Sequence, residues 1–190
     1  EIVATGGDVT VGLVETAIDG TRPLGFDVVS ATVAPSEEQL IPGVFVPNEG
    51  DGTVAARIVN PSDTEVIATV VQLSSSGEVA MPDAVARVPA GSAVDLPISE
   101  LPAGATSVAV RAEGPIVAGV RTVVDTGSAD AAWALSQPPV EHLAAAALPS
   151  REGVTRSLVL AASGGQATAR IVEITDGAAT TSEVLVMALI

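Results

Sequence analysis

Short runs of β-branched and aliphatic residues alternate along this chain with clusters of Gly, Pro, Ser and Asp. Glu65–Leu73 is one such run and stops at Ser74-Ser75-Ser76-Gly77. Ala84–Val88 stops at Pro89-Ala90-Gly91-Ser92, and Ala93–Pro97 and Thr106–Arg111 follow, separated by Leu101-Pro102-Ala103-Gly104. β-branched runs bounded by turn residues about every eight to twelve positions predict an antiparallel sandwich or barrel. One segment has helical character, Val140–Leu148, entered after Pro138-Pro139 and left at Pro149. It and Pro35–Leu40 are expected to serve as linkers between modules.

The pattern partly repeats. Val54-Ala55-Ala56-Arg57-Ile58-Val59 returns as Ala167-Thr168-Ala169-Arg170-Ile171-Val172, and Val9-Thr10-Val11-Gly12-Leu13 resembles Ile116-Val117-Ala118-Gly119-Val120. Each member of the second pair is followed by an acidic turn, Ile18-Asp19-Gly20 and Val124-Asp125-Thr126. Echoes at fixed offset mark a duplicated structural unit. The chain's end thus carries the equivalent of the central unit's early strands, and its beginning the equivalent of the late ones.

Composition narrows the chemistry. At 190 residues the chain can bury one large core or two small ones. Its aromatic residues are only Phe26, Phe45 and Trp133, so the core must be built from Val, Ala, Ile and Leu. Without cysteine it has neither disulfides nor a thiolate nucleophile. The formal net charge is -15 and every basic residue is arginine, which disfavours nucleic acid and anionic membranes as partners and removes any Schiff-base or phosphate-loop lysine. Lysine-free, Ala/Val/Gly-rich usage is associated with GC-rich bacterial genomes. No apolar run reaches the roughly 18 residues of a membrane span. The start at Glu1, without methionine, suggests a processed or truncated product.

Several segments together carry a resemblance. Asn60-Pro61-Ser62-Asp63-Thr64, Pro89-Ala90-Gly91-Ser92, Leu101-Pro102-Ala103-Gly104-Ala105, Gly114-Pro115-Ile116-Val117-Ala118-Gly119-Val120-Arg121 and Asp130-Ala131-Ala132-Trp133 look like an uncharacterised actinobacterial family of exported proteins. Its members are built of immunoglobulin-like β-sandwich repeats and carry a domain of unknown function. The resemblance, best over Val44 to Trp133, implies an envelope or extracellular setting and supplies no site residues.

The expected fold is all-β, with two antiparallel immunoglobulin-like β-sandwich modules. One is central, residues 41–138; the other is formed by the terminal segments, 1–40 and 150–190. Closure of the second module from both termini is favoured over excision from a longer array, because unpaired sheet edges invite aggregation.

One motif carries chemistry on its face. Val123-Val124-Asp125-Thr126-Gly127-Ser128 reproduces the active-site order of aspartic peptidases, in which two carboxylates share a proton and activate water. The duplicated position reads Asp19-Gly20-Thr21, the wrong order, so catalysis through Asp125-Thr126-Gly127 would need a symmetric homodimer. Asp-Thr-Gly-Ser is also an ordinary hairpin turn, and that reading is preferred.

Other candidates fail sooner. His142 is the sole histidine and sits on the expected linker, and the sequence contains no Gly-x-Ser-x-Gly. Asn48-Glu49-Gly50-Asp51-Gly52 offers calcium-type oxygens without EF-hand spacing, so a solvated loop is expected. Neither Asn48 nor Asn60 opens a glycosylation sequon. Trp133, lacking companion aromatics, is expected in the core rather than on a glycan-stacking face.

The sequence therefore predicts no catalytic, cofactor-binding or metal-binding residues. It predicts a noncatalytic structural or interaction module of the bacterial cell envelope or extracellular space, whose partner is a protein or envelope component. A homodimeric aspartic peptidase and a calcium- or glycan-binding module are the alternatives.

Overall fold

The computed structural model describes residues 5–7, 11–75, 77–126, 128–145, 153, 157–162, 167–175 and 177–186, and among them the protein is all-β and antiparallel. The strands are β1 (Gly12–Asp19), β2 (Arg22–Ser30), β3 (Ser36–Val46), β4 (Gly52–Asn60), β5 (Val66–Ser74), β6 (Gly77–Val88), β7 (Ser92–Pro97), β8 (Gly104–Thr126), β9 (Ser128–Leu135), β10 (Ala167–Thr175) and β11 (Ala178–Val186).

Strand β8, 23 residues long, organises the body. Its first half pairs with β3 and β5, and β5 pairs in turn with β6. Its second half pairs with β4 and β9, and β4 pairs with β7. Two four-stranded layers, β6-β5-β8-β3 and β7-β4-β8-β9, thus share one continuous strand. The change of layer falls at Glu113-Gly114-Pro115, between the last β5 pair at Ala112 and the first β4 pair at Val117. Proline has no N–H to give a ladder, so this unpaired corner accommodates it.

Period-2 alternation sends one side of each strand inward. On β4, Val54, Ala56 and Ile58 are buried while Arg57 and Val59 face out. They meet Ile41 and Val44 of β3, Val70 of β5, Val88 of β6, and Val108, Val110, Ile116 and Val120 of β8 in one aliphatic core. Fully burying such a side chain stabilises the fold by roughly 1.5–3 kcal/mol.

The core is stitched at one end by a buried amide. Asn60 is fully buried; its Nδ2 donates to Thr64 O at 2.7 Å and Val88 O at 3.0 Å, and its Oδ1 accepts from Ser62 N at 3.0 Å. Gly91 N donates to Ser62 O at 2.9 Å. The segments Asn60–Thr64 and Pro89–Ser92, separate signatures in the sequence, are therefore two halves of one hydrogen-bonded junction.

The chain's two ends form separate hairpins, β1-β2 and β10-β11, and among the described residues no ladder joins them. Three sequence expectations change. Residues 140–145 are not helical, and the rest of Val140–Leu148 lies outside the described residues. Alanine favours a helix locally, but these described residues are exposed, with no apolar face packed to hold one. Residues 36–40 are no linker but the start of β3, where Gln39 is fully buried and Glu38 stands opposite Arg111. Thr106–Arg111 does not end at the Gly-Pro pair; it continues through it as β8.

Candidate functional site

The Asp-Thr-Gly-Ser motif falls where β8 gives way to β9. Thr126 pairs with Ser128, and Gly127 lies outside the described residues. Asp125 N donates to Asp51 O at 2.8 Å, and the Asp125 carboxylate accepts from Arg22 Nη2 at 2.6 Å. That carboxylate, where a peptidase would place half of a proton-sharing dyad, is bonded to a guanidinium of the N-terminal hairpin.

The same hairpin lies against the outer side of β9. Gly25, at φ +111°, passes so close that a Cβ there would stand 2.6 Å from Asp130 Oδ1 and 2.8 Å from Ala131 N. Only glycine combines that backbone angle with that approach. Next to it, Asp27 Oδ2 accepts from Trp133 N at 2.7 Å, satisfying a backbone donor on the β9 edge with a side chain rather than a strand.

Trp133 is not a core residue. It is part-exposed on the outer face of the β4-β8-β9 layer, opposite Arg121. The expectation failed because Trp133 shares a face with Ala131, two positions away on β9, and that face lies under the N-terminal hairpin rather than over the core: Ala131 is buried there, and the indole has polar company. Trp133 Nε1 donates to Glu15 of β1, and the Arg57 guanidinium sits 5.5 Å from the ring centroid. Gly119 stands between Arg57 and Leu135 in register; a Cβ there would crowd Leu135 Cδ2 at 3.0 Å and only touch Trp133 Cε3 at 3.5 Å.

Arginines and carboxylates complete the cluster. Arg57 forms a two-pronged pair with Asp95 directly across the β4-β7 ladder, at 2.7 Å for each bond. Arg121 Nη2 meets Glu15 at 2.9 Å. The hydrogen bond from Arg57 holds the Asp95 carboxyl below its ordinary range, and the same bond pushes the Arg57 guanidinium further up. Both stay charged at neutral pH, which suits holding two surfaces together and does not suit proton transfer. Sequence reading missed Glu15, Arg57, Asp95 and Arg121 as a group. The available signal was their parity: Arg57 and Asp95 occupy outward positions of strands whose inward positions are apolar.

The remaining candidates are not drawn into this cluster. His142 is exposed on the segment after β9. Asn48–Gly52 is a turn closed by Asp51 N to Asn48 O at 3.0 Å and Asn48 Nδ2 to Asp51 Oδ2 at 3.2 Å. Among the described residues, no three His, Asp or Glu side chains group as a metal site would require. An open groove of about 470 Å³ lies elsewhere, between Gln72 and Thr106 of the body and Leu158, Leu160, Ile171 and Val184 of the C-terminal segment. Among the described residues no helix is long and apolar enough to cross a membrane.

The pattern of a Family of unknown function (DUF5719) matches residues 1–188. The chain belongs to that family. No curated protein matches this DUF5719 chain. Among solved structures it is similar to a Thermotoga maritima protein, "Thermotoga maritima 1070", at 15% identity and a TM-score of 0.45, covering 53% of this chain and 92% of that one. It is also similar to the Anabaena sensory rhodopsin transducer, at 17% identity and a TM-score of 0.38, covering 47% of this chain and 97% of that one.

Proposed function

We propose that this DUF5719 chain is a noncatalytic structural or interaction module of the bacterial cell envelope or extracellular space. In this reading it comprises two immunoglobulin-like sandwich units, a central one that takes in β3 from Ser36 onward and a second to which the terminal segments on either side contribute. The observation that carries the noncatalytic part is the Arg22–Asp125 pair. It spends the one carboxylate with a catalytic sequence context on fastening the N-terminal hairpin to the body. Glu15, Asp27, Arg57, Asp95 and Arg121 act alike, each engaged across strands or between hairpin and layer. The exported setting rests on the turn signatures quoted above.

The test is direct. Purified protein, incubated with unfolded protein substrates between roughly pH 3 and 6, the range of a shared-proton carboxylate pair, is expected to leave them intact. Acid-dependent cleavage abolished by Asp125→Asn would replace this reading with a peptidase.

A further inference from the structure

Among the described residues the body has four edge strands, β6, β3, β7 and β9, and three of them are closed by their own sequence. β6 carries Pro82 where its ladder with β5 breaks register, and β3 carries Pro42 at the break between Ile41 and Val44. β7 has only six residues and ends in Pro97. Prolines, bulges and short length keep an edge from accepting another strand. β9 has none of these: it pairs with β8 without a break from Ser128 to Leu135 and contains no proline.

Side chains close that edge instead. Ala131 N donates to Asp130 Oδ1 at 2.9 Å, Leu135 O accepts from Gln137 Nε2 at 3.3 Å, and between them Trp133 N donates to Asp27 Oδ2 at 2.7 Å. The first two caps come from the β9 segment itself; the third comes from β2 of the N-terminal hairpin. The hairpin also fills the space beside the edge, with Gly25 against Asp130 and Ala131, yet among the described residues it makes no ladder with β9. Its fastenings to the body are side-chain contacts: Arg22 on Asp125, Glu15 on Arg121 and Trp133, and Asp27 on Trp133 N. Its apolar Val14, Ile18, Phe26 and Val28 are 61 to 69% exposed and contribute little to the hold. Part-exposed polar contacts bind weakly beside apolar burial, so this hairpin can let go while the core of the body stays closed.

We propose that the N-terminal hairpin is an edge guard, an autoinhibitory contact in which Asp27 holds β9 closed to strand addition and whose release lets two copies pair edge to edge through β9. The seated hairpin and an added strand exclude each other, because both need Trp133 N. An antiparallel pair centred on Ala132 sets Ala131 of one copy against Trp133 of the other and so engages both outward amides. The same register sets Asp130 against Ala134, so the carboxylates of the two copies do not meet. A guard of this kind goes beyond the noncatalytic reading and does not depend on it.

The test uses the full chain. Asp27→Ala removes the cap, whereas Asp27→Asn keeps an acceptor oxygen for Trp133 N. In dilute Asp27→Ala protein the Trp133 amide is expected to exchange about two- to tenfold faster, the range that one hydrogen bond supplies, while the amides of β4 and β5 keep their protection. As concentration rises, sedimentation should show a dimer and the Ala131 and Trp133 amides should become protected again. The parent and Asp27→Asn should stay monomeric at the same concentrations. Arg22→Ala, which loosens the hairpin without touching the cap, should move in the same direction by a smaller amount, and it decides the matter if Asp27→Ala does not fold. A released variant that is monomeric at every concentration would overturn the guard. So would dimers whose β9 amides gain no protection, or an Asp27→Asn protein that dimerises as readily as Asp27→Ala. Acid proteolysis would remove the noncatalytic reading and leave these results as they are.

Discussion

Arg22 and Asp125 lie 103 positions apart in sequence and 2.6 Å apart in space. Both side chains are about half exposed, at 48% and 53%. An exposed pair contributes about 0.2–1 kcal/mol. Asp125→Asn, which keeps an oxygen acceptor for Arg22, should therefore lower stability by less than about 1 kcal/mol in a urea titration. A loss several times larger would show that the carboxylate has a buried partner the pair does not explain.

Asn60 should behave very differently. Removing its amide takes a donor from Val88 O and from Thr64 O, which still accepts from Ser62 Oγ, and takes the acceptor from Ser62 N, at a fully buried site. Leaving such groups unpaired costs about 1–3 kcal/mol, and Asn60→Ala is expected to fall in that range. Asn60→Asp should be worse, since a carboxylate cannot donate to either carbonyl and carries an unpaired charge. If both variants melt with the parent, the junction contributes nothing to stability.

Gly25→Val separates the hairpin from the body. Valine at φ +111° carries about 1–3 kcal/mol of backbone strain, before its contact with Asp130 is counted. Amide exchange should speed up through β1 and β2 while β4, β5 and β8 stay protected. The lone indole reports the same event: with Glu15 and Asp27 withdrawn, Trp133 emission should shift to the red. Equal loss of protection throughout would mean that hairpin and body unfold as one.

Acid should act through the outer carboxylates. A hydrogen bond from Arg111 holds the Glu78 carboxyl below its ordinary value of 4.5, and one from Arg57 holds Asp95 below 3.8. A depressed carboxylate contributes stability that is fully present above its unfolded value and is lost as pH falls through the folded one. Stability should thus be level near neutrality and fall below about pH 4.5. Glu78→Gln with Asp95→Asn should flatten that acid limb, as followed by urea midpoints against pH. An unchanged limb would assign acid sensitivity to other carboxylates.

The central strands were legible because the signals agreed. In Glu65–Leu73 and Ala84–Val88, β-branched residues, inward periodicity and Gly/Pro/Ser boundaries all pointed to strand. β8 was not fully legible, because Gly114-Pro115 reads locally as a stop. Only the tertiary arrangement, a corner between two layers, lets a strand pass through it. The start of β3 was hidden by its polarity: Ser36 and Gln39 bond within the segment and Glu38 bonds Arg111, a hydrogen-bond pattern without hydrophobic periodicity. Trp133 misled for a related reason. A lone tryptophan in an aliphatic chain invites a core placement, but its N–H found a carboxylate supplied by a strand over a hundred residues earlier.

The sharing of β8 by both layers also has a consequence for how the chain is made. β3, β4 and β5 each draw a ladder from β8, yet all three precede it in sequence. During synthesis they leave the ribosome before their common partner exists, with their apolar faces unmatched. The β6-β5-β8-β3 layer cannot close until the chain has emerged past residue 116, nor the β7-β4-β8-β9 layer until it has emerged past residue 135. Assembly of the body is therefore a late, concerted event governed by long-range pairing. A chain interrupted before β8 would keep most of its future core and none of the strand that joins it.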